Sequence, residues 1–259
     1  MGILTFRQKY RIKPKYGATL FKEAGHSAKI VTMRLKVLIL VGCLLSIPLL
    51  AQQTEVRNVG SFKGVKSGEA IDVYLKKGDK ESLKVEVTGV VLSKVITEVS
   101  GGYLKIHMRD GNYRGKQTVK VYVTYVELDK ISASSASNVF SDGVIKARNL
   151  EVHVSSAANI EISLEATDVA VHASSAGDII LEGKAISIEA EASSAGEVDA
   201  YNLIVETAEG KASSAGSIKM NVSKALNAHA SSGGSIRYHG NPSKTNTTSS
   251  SGGSVKKSN

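Results

Sequence analysis

The sequence has no tryptophan, three prolines and one cysteine in 259 residues, and aromatic residues make up only 5% of it. So few aromatic side chains argue against a large aromatic-lined ligand cleft. The sequence also lacks a Gly-x-Ser-x-Gly element, a phosphate-binding loop and a calcium-binding nonapeptide. These absences favour a protein that is not an enzyme and that holds no cofactor.

Most of the net charge of +9 lies in the N-terminal tail. Residues 1–51 contain nine Lys or Arg and one Glu, which leaves 24 basic and 23 acidic residues in the rest of the chain. The chain beyond residue 51 is therefore nearly neutral, and nucleic-acid binding has little electrostatic support.

Residues 33–51 have the pattern of a secretory signal peptide. A short basic start at Met33 is followed by the apolar run Val37–Leu50 and by a small residue, Ala51, after which we expect cleavage. The run is too short to predict a membrane span, so none is expected after the signal is removed. Residues 1–32 are interpreted as a mis-assigned N-terminal extension. We expect an exported protein of the periplasm, the outer-membrane surface or the extracellular space.

The one cysteine, Cys43, leaves an alternative for this segment. Leu40-Val41-Gly42-Cys43 is similar to a bacterial lipoprotein box, in which Cys43 would carry a lipid anchor. Only about five apolar residues precede Cys43, and the apolar run continues past it, which favours a cleaved signal peptide. The exported chain would then contain no cysteine and would depend on packing rather than on disulfides.

Seven short Ser-Ser signatures recur in the C-terminal half, with first serines 18 to 21 residues apart. They begin at Ser134, Ser155, Ser174, Ser193, Ser213, Ser231 and Ser250. A repeat of this length cannot bury a hydrophobic face alone and must stack on its neighbours. The dense leucine scaffold of a leucine-rich repeat is missing, so a stack of β-coils is favoured.

Apolar and polar residues alternate on both sides of each signature, which is typical of a strand with one buried face. After the signatures the predicted inward pairs include Ile160 and Ile162, Ile179 and Leu181, Val198 and Ala200, Ile218 and Met220, and Ile236 and Tyr238. Before them the predicted pairs are Val152 and Val154, Val169 and Val171, Ile186 and Ile188, and Leu203 and Val205. The pattern predicts an all-β parallel β-helix (solenoid) of about ten coils, each of about 20 residues. The general chirality of parallel connections, and not the pattern, makes a right-handed parallel β-helix the expectation.

The exported part divides into two regions by regularity. Residues 52–131 are predicted to form irregular β-coils, with a separate small sandwich as the alternative. Residues 132–259 are predicted to form the regular coils, ending in a polar cap in which Thr245 and Thr247 replace apolar residues.

The serines of the signatures are interpreted as a structural ladder rather than as nucleophiles. The ladder consists of Ser155, Ser156, Ser174, Ser175, Ser193, Ser194, Ser213, Ser214, Ser231 and Ser232. Stacked hydroxyls can donate to and accept from one another. A glycine at the fourth signature position is expected to permit an unusual backbone angle.

Two residues before each serine pair, a second column holds His153, His172, Glu191, Lys211 and His229. In stacked coils, His153, His172 and Glu191 would be neighbours, and imidazole with carboxylate suits zinc. Lys211, next in the column, favours a solvated surface ladder instead, so no metal is expected.

Solenoids also serve as polysaccharide lyases and hydrolases, which makes a β-helix carbohydrate-active enzyme the alternative function. Asp178, Glu197 and Asp199 would lie near one another in the stack, and glycoside hydrolysis uses paired carboxylates. Sugar-binding aromatics are missing from the repeats, where Tyr201 and Tyr238 are expected to be isolated. The non-catalytic interpretation is favoured.

Three segments carry a family resemblance: Val56–Val65, Ile71–Leu75 and Thr97–Ile106, together with the serine coils. Over residues 55–239 the chain resembles the auto-transporter adhesins with a "head GIN domain" of Bacteroidetes-type bacteria. The resemblance implies a β-solenoid, an envelope or surface location and an adhesin-like role, with no catalytic residue. We therefore expect a secreted or cell-envelope protein that binds or scaffolds. Its partner would be an envelope protein or glycan, and homo-oligomerisation is left open.

Overall fold

The computed structural model describes residues 52–111 and 117–258. The expectations for residues 1–32, the signal peptide, its cleavage after Ala51 and Cys43 lie outside the described residues and stay predictions. Among the described residues the secondary structure is β-strand apart from one short 3₁₀ turn, Leu92–Lys94. The strands are β1 (Gln53–Arg57), β2 (Gly64–Ser67), β3 (Asp72–Lys77), β4 (Ser82–Thr88), β5 (Val95–Ser100), β6 (Tyr103–Met108), β7 (Thr118–Tyr125), β8 (Lys130–Ala133), β9 (Asn138–Val154), β10 (Asn159–Ala173), β11 (Asp178–Ala192), β12 (Glu197–Ala212), β13 (Ser217–Ala230), β14 (Ser235–His239), β15 (Lys244–Ser249) and β16 (Ser254–Lys257).

The long strands β9 to β13 each run through most of one coil and pair in parallel with the next strand. The serine signatures connect successive strands, so equivalent residues fall opposite one another, as Ile160 does with Ile179. The structure is a parallel β-solenoid, which confirms the predicted fold class. It has about seven turns of about 19 residues, fewer than the ten expected.

The smaller number of turns has its cause in the N-terminal region, where some strands fold back. β1 pairs with β4, β4 with β7 and β5 with β6, all antiparallel. β2, β3, β6, β7 and β8 also pair in parallel, and β3 and β8 both pair with β9. The irregular region and the regular coils thus belong to one continuous sheet.

The interior is formed by every second residue of the strands. The first inward residue after each regular signature is fully buried. These residues are Val139, Ile160, Ile179, Val198, Ile218 and Ile236. Each such aliphatic side chain contributes about 1.5–3 kcal/mol by burial. Ile180, between two inward residues, is 42% exposed, which confirms the predicted alternation.

One part of the predicted register is wrong. Ile186 is 51% exposed, because the strand bends between Ala185 and Ile188 and the alternation restarts there. Leu203 and Val205 are buried, as predicted. They lie opposite Gly183 and Ala185, however, and not opposite Ile186 and Ile188, the pair predicted for the preceding coil. β12 carries an additional residue near Tyr201, and this register shift displaces the positions counted from the serines.

Polar residues cover the C-terminal end of the stack. Every residue of β15 is exposed, and its Thr245 and Thr247 lie opposite the buried Leu226 and Ala228 of β13. A polar final coil keeps an open sheet edge from presenting an apolar surface.

Candidate binding surface

Each serine signature forms a tight turn that repeats from coil to coil. In the turn at Ser174, the amide of Gly177 donates to the carbonyl of Ser174 at 3.0 Å. The two central residues, Ser175 and Ala176, have φ values of 51° and 58°. Two positive φ angles in succession characterise a type I′ turn, in which Asn-Gly is the usual pair.

The glycine at the fourth signature position has a different role from the one expected. The left-handed residues are the second and third of the signature, while Gly216, at the fourth position, has no positive φ. A Cβ on Gly216 would lie 2.3 Å from the carbonyl oxygen of Ala192 in the preceding turn. The fourth glycine is therefore required by the close approach of two turns and not by a backbone angle.

The ladder serines occupy equivalent places in successive turns, but the backbone joins these turns. The amide of Ala157 donates to the carbonyl of Ser175, and that of Ala176 to the carbonyl of Ser194, both at 3.1 Å. Within residues 52–111 and 117–258, no hydroxyl-to-hydroxyl bond links the ladder serines of neighbouring turns. The expected hydroxyl column is replaced by amide–carbonyl bonds.

The histidine column lies in register on the outer surface. His172 is opposite His153 on one side and Glu191 on the other, and Glu191 is opposite Lys211. The two imidazole rings stack with their centroids 4.6 Å apart, and His172 Nδ1 lies 3.2 Å from Glu191 Oε2. His153 contacts Glu151 through its Nε2.

Carboxylates and a lysine continue this column. Lys211 Nζ lies 3.0 Å from Glu209, 3.2 Å from Glu189 and 3.4 Å from Glu191. Hydrogen bonds to Glu209 and then Glu189 raise the pKa of the Lys211 ammonium group. Across the described parts of the chain, no group of three His, Cys, Asp or Glu side chains is placed to hold a metal ion. The column has the geometry of a surface ion-pair network.

The three carboxylates considered for hydrolysis are close together, as expected. Lys219 Nζ lies 2.7 Å from Glu197 Oε1 and 3.0 Å from Asp199 Oδ2. Asp178 is opposite Glu197, and burial, then the Glu197 charge, raise the pKa of Asp178. Because both partners of the potential acid–base pair bind one ammonium group, the cluster is organised as an ion pair.

The aromatic residues are less isolated than expected. Tyr201 stacks on His239 with a centroid distance of 4.1 Å, and its hydroxyl lies 2.8 Å from that of Ser258. On the N-terminal turns, the Tyr74 ring stacks between those of Tyr122 (5.1 Å) and Phe140 (5.4 Å). Each ring in these groups has at least one face packed against another ring.

A groove of about 800 Å³ crosses the four coils of β9 to β12 on the outer surface and also touches Ser223 of β13. Its floor is a file of small residues, Ala147, Ala166, Ala185 and Val205. One wall consists of Lys146, Glu165, Lys184 and Ile204, which lie opposite one another on successive strands. The other wall consists of Arg148, Thr167, Ile186 and Glu206. We call this feature the alanine groove.

Ion pairs join neighbouring side chains along one wall of the alanine groove. Glu165 lies 3.5 Å from Lys146 and 3.1 Å from Lys184, and both lysines lower the pKa of the Glu165 carboxyl group, Lys184 more strongly. Ile186 and Ile204 remain 51% and 59% exposed. The groove therefore combines a floor of alanine and valine with alternating charge on one wall and apolar side chains at one end.

Comparison with protein families assigns the chain to a family. Residues 61–242 match the family described as "Putative auto-transporter adhesin, head GIN domain". The chain belongs to this family. The match confirms the resemblance drawn from the sequence and makes this head GIN domain protein adhesin-like. No curated protein matches its sequence.

Solved structures share the fold of this head GIN domain protein at low sequence identity. A "putative adhesin" from Bacteroides fragilis is 21% identical, covers 82% of this chain and 99% of its own, and has a TM-score of 0.74. A "putative adhesin" from Parabacteroides merdae is 19% identical, with coverages of 80% and 96% and a TM-score of 0.62. A "putative lipid binding protein" from Parabacteroides distasonis is 18% identical, with coverages of 80% and 97% and a TM-score of 0.65.

Sequence reasoning missed the alanine groove in this head GIN domain protein. Its walls lie at the bends of β9 to β12, which carry no turn residue that recurs from coil to coil. The spacing of Ala147, Ala166 and Ala185 at 19 residues was the available signal. Among the described residues, no helix has the length and apolar character needed to span a membrane.

Proposed function

We propose that this protein is an exported, non-catalytic binding protein of the cell envelope, in which the alanine groove holds an extended segment of a partner envelope protein. The adhesin family supports a binding role. The observation that carries the proposal is the groove itself, whose walls run across the four coils of β9 to β12.

The groove suits an extended chain that runs along the stack. Four coils spaced by about 4.8 Å give it a length of roughly 14 Å, enough for about four extended residues. Lys146, Glu165 and Lys184 alternate in charge along one wall, so a partner with the complementary alternation would pair with each.

The apolar end of the groove favours a peptide over a neutral glycan. Ile186 and Ile204 offer aliphatic surface, and no aromatic ring lines the groove among the described residues. Arg148, also on the wall, has no hydrogen bond or ion pair within the described ranges and is available to a partner carboxylate or carbonyl. Stacked coils hold these groups at fixed spacing, which lowers the cost of ordering the site on binding.

The test is retention of a defined partner from envelope extracts by the wild type and by two variants. Ile186→Glu/Ile204→Glu places charge on the apolar wall and should abolish retention without unfolding, because both side chains are exposed. Ile180→Glu alters another exposed isoleucine (42%), which lies outside the groove, and should retain the partner. Equal retention by all three proteins contradicts the groove assignment. A glycan array run in parallel with the same variants separates the alternatives. Retention of a glycan that Ile186→Glu/Ile204→Glu abolishes would show that the groove binds a glycan instead of a peptide, and turnover of a glycan contradicts the non-catalytic role.

A further inference from the structure

A second cavity, of about 410 Å³, lies on the N-terminal turns, away from the alanine groove. Its lining consists of Lys66, Tyr103, Lys105, Lys130, Ser132 and His153. We call it the lysine pocket. Its volume falls within the range of about 300–1,000 Å³ that is usual for small-molecule sites.

The lysine pocket is assembled by parallel pairing of three short strands. β2 lies between β6 and β8, so that Lys66 is opposite Lys105 on one side and Ser132 on the other. Ser132 is in turn opposite His153. Two lysines therefore stand on neighbouring strands, about 4.8 Å apart in the backbone, with a hydroxyl and an imidazole continuing the same file.

The charge of these two lysines is unbalanced. Within residues 52–111 and 117–258, neither Lys66 nor Lys105 has an ion pair or hydrogen bond. Glu98 lies opposite Lys105 on β5 but forms no ion pair with it. Like charges directly opposite each other destabilise a sheet, so the pair costs free energy unless an anion offsets it.

The other carboxylates near the two lysines are engaged elsewhere. Glu69, which lines a neighbouring cavity with Lys66 and Lys105, accepts a hydrogen bond from the Met108 amide. Glu151 Oε1 accepts from Lys130 Nζ at 2.8 Å and also contacts His153. Hydrogen bonds from Lys130 and then His153 lower the pKa of the Glu151 carboxyl group. Lys66 and Lys105 are thus left to an external anion.

Tyr103 supplies a flat wall, and Gly64 makes room for it. A Cβ on Gly64 would lie 2.1 Å from Cδ1 of Tyr103, so the ring packs directly on the glycine backbone. Tyr103 is 37% exposed, and Lys130 Nζ lies 6.0 Å from its ring centroid. Among residues 52–111 and 117–258 no other aromatic ring stacks on Tyr103, unlike the rings of Tyr74 and Tyr201.

We propose that the lysine pocket binds an anionic sugar unit of a glycan. The ammonium groups of Lys66 and Lys105 bind the carboxylate or sulfate of the sugar, Ser132 donates a hydrogen bond, and the Tyr103 ring packs against the sugar C–H groups. This site is independent of the peptide groove, so either proposal can fail alone.

The test is calorimetric titration of the purified protein with tetragalacturonate, with dextran sulfate oligosaccharide, with uncharged maltotetraose and with sodium sulfate. At least one charged saccharide should bind, and which one binds identifies carboxylate or sulfate as the charged group. Maltotetraose should not bind. Binding of sodium sulfate but of neither charged saccharide, or equal binding of maltotetraose, overturns the proposal, as does no binding at all.

Variants locate the binding to the pocket. Lys66→Gln/Lys105→Gln should weaken binding by at least about tenfold, the effect of losing charge-assisted hydrogen bonds. Lys244→Gln/Lys256→Gln, which removes the same charge at the other end of the stack, should bind as the wild type does, and equal weakening by both pairs would overturn the site. Glu98→Gln should tighten binding, because it removes a negative charge opposite Lys105. Tyr103→Leu should weaken saccharide binding, because it removes the ring that packs against the sugar. Melting of Lys66→Gln/Lys105→Gln checks folding, and relief of repulsion should leave it at least as stable as the wild type.

Discussion

Replacing Gly216 by alanine would test why glycine stands at the fourth signature position. The two explanations are an unusual backbone angle and the close approach of the preceding turn. The added Cβ would lie 2.3 Å from the carbonyl oxygen and 2.5 Å from the carbonyl carbon of Ala192, both backbone atoms that cannot rotate away. The turns would have to separate, at the expense of the inter-turn bond from the Ser213 amide to the Ala192 carbonyl (2.9 Å). Overpacking of this kind costs about 1–3 kcal/mol, and a lost backbone hydrogen bond about 1 kcal/mol more.

A graded series makes the steric argument quantitative. At Gly177 the nearest atoms to a new Cβ are 3.0 Å away, and at Gly60 nothing lies within 4 Å. For a domain of this size, 1 kcal/mol corresponds to about 2–4 °C in Tm. Gly216→Ala should therefore lower Tm by roughly 5–10 °C, Gly177→Ala by much less and Gly60→Ala hardly at all. Equal Tm values for Gly216→Ala and Gly60→Ala would refute the close-approach explanation.

Three further predictions use the same melting assay. Ile179→Asp should disrupt the stack by burying a charge, whereas Ile180→Asp, on the exposed face, should melt close to the wild type; similar losses in both would contradict the register. Ala176→Gly should raise stability by about 0.5 kcal/mol, because relief of a left-handed alanine (φ 58°) exceeds the entropy that glycine adds to the unfolded chain; a lower Tm would count against strain in the turn. Asp178→Asn should stabilise the protein at pH 7, because the pKa of Asp178 is raised in the folded protein and ionisation of this carboxyl group therefore costs stability. The advantage of the variant should shrink as the pH falls through the folded pKa and vanish below the lower, unfolded pKa. An advantage that persists at pH 3 would contradict an electrostatic cause.

The sequence predicted the regular coils well because two periodicities coincide there. The serine signatures recur about every 19 residues and the apolar residues every second residue, so the inward positions Ile160 and Ile179 could be assigned directly. The error at Ile186 arose where the strand bends and the second periodicity restarts. The bends within the long strands have no glycine or proline at a position that recurs from coil to coil, so the sequence does not mark them.

The turn chemistry was predicted for the wrong position. Serine and alanine rarely adopt left-handed angles, and Gly177 stands beside them, so propensity placed the unusual angle on the glycine. In the fold, stacking imposes the left-handed angles on Ser175 and Ala176, and the inter-turn bond from the Ala176 amide to the Ser194 carbonyl offsets their cost. Tertiary context overrides local preference here.

The lysine pocket was out of reach of sequence reasoning for a different reason. Lys66, Lys105 and Ser132 are far apart in a region without a serine signature, and the pairing of β2 with both β6 and β8 brings them together. The antiparallel strand β5 lies between the parallel ones in sequence and hides any constant spacing. The histidine column, by contrast, follows the 19-residue period and was located correctly in the stack.

Disulfide trapping between neighbouring coils tests the register of the regular stack, on which the alanine groove depends. In a Cys43→Ser background, Glu161→Cys and Ile180→Cys would lie directly opposite each other on the outer face of β10 and β11. Adjacent strands place their Cα atoms within the 4.4–6.8 Å that a disulfide spans, whereas residues two coils apart, such as Glu161 and Asp199, are separated by roughly 10 Å. The account predicts rapid intramolecular cross-linking of the first pair and none of the second. Cross-linking of both pairs to the same extent, or of neither, would contradict coils stacked in this register.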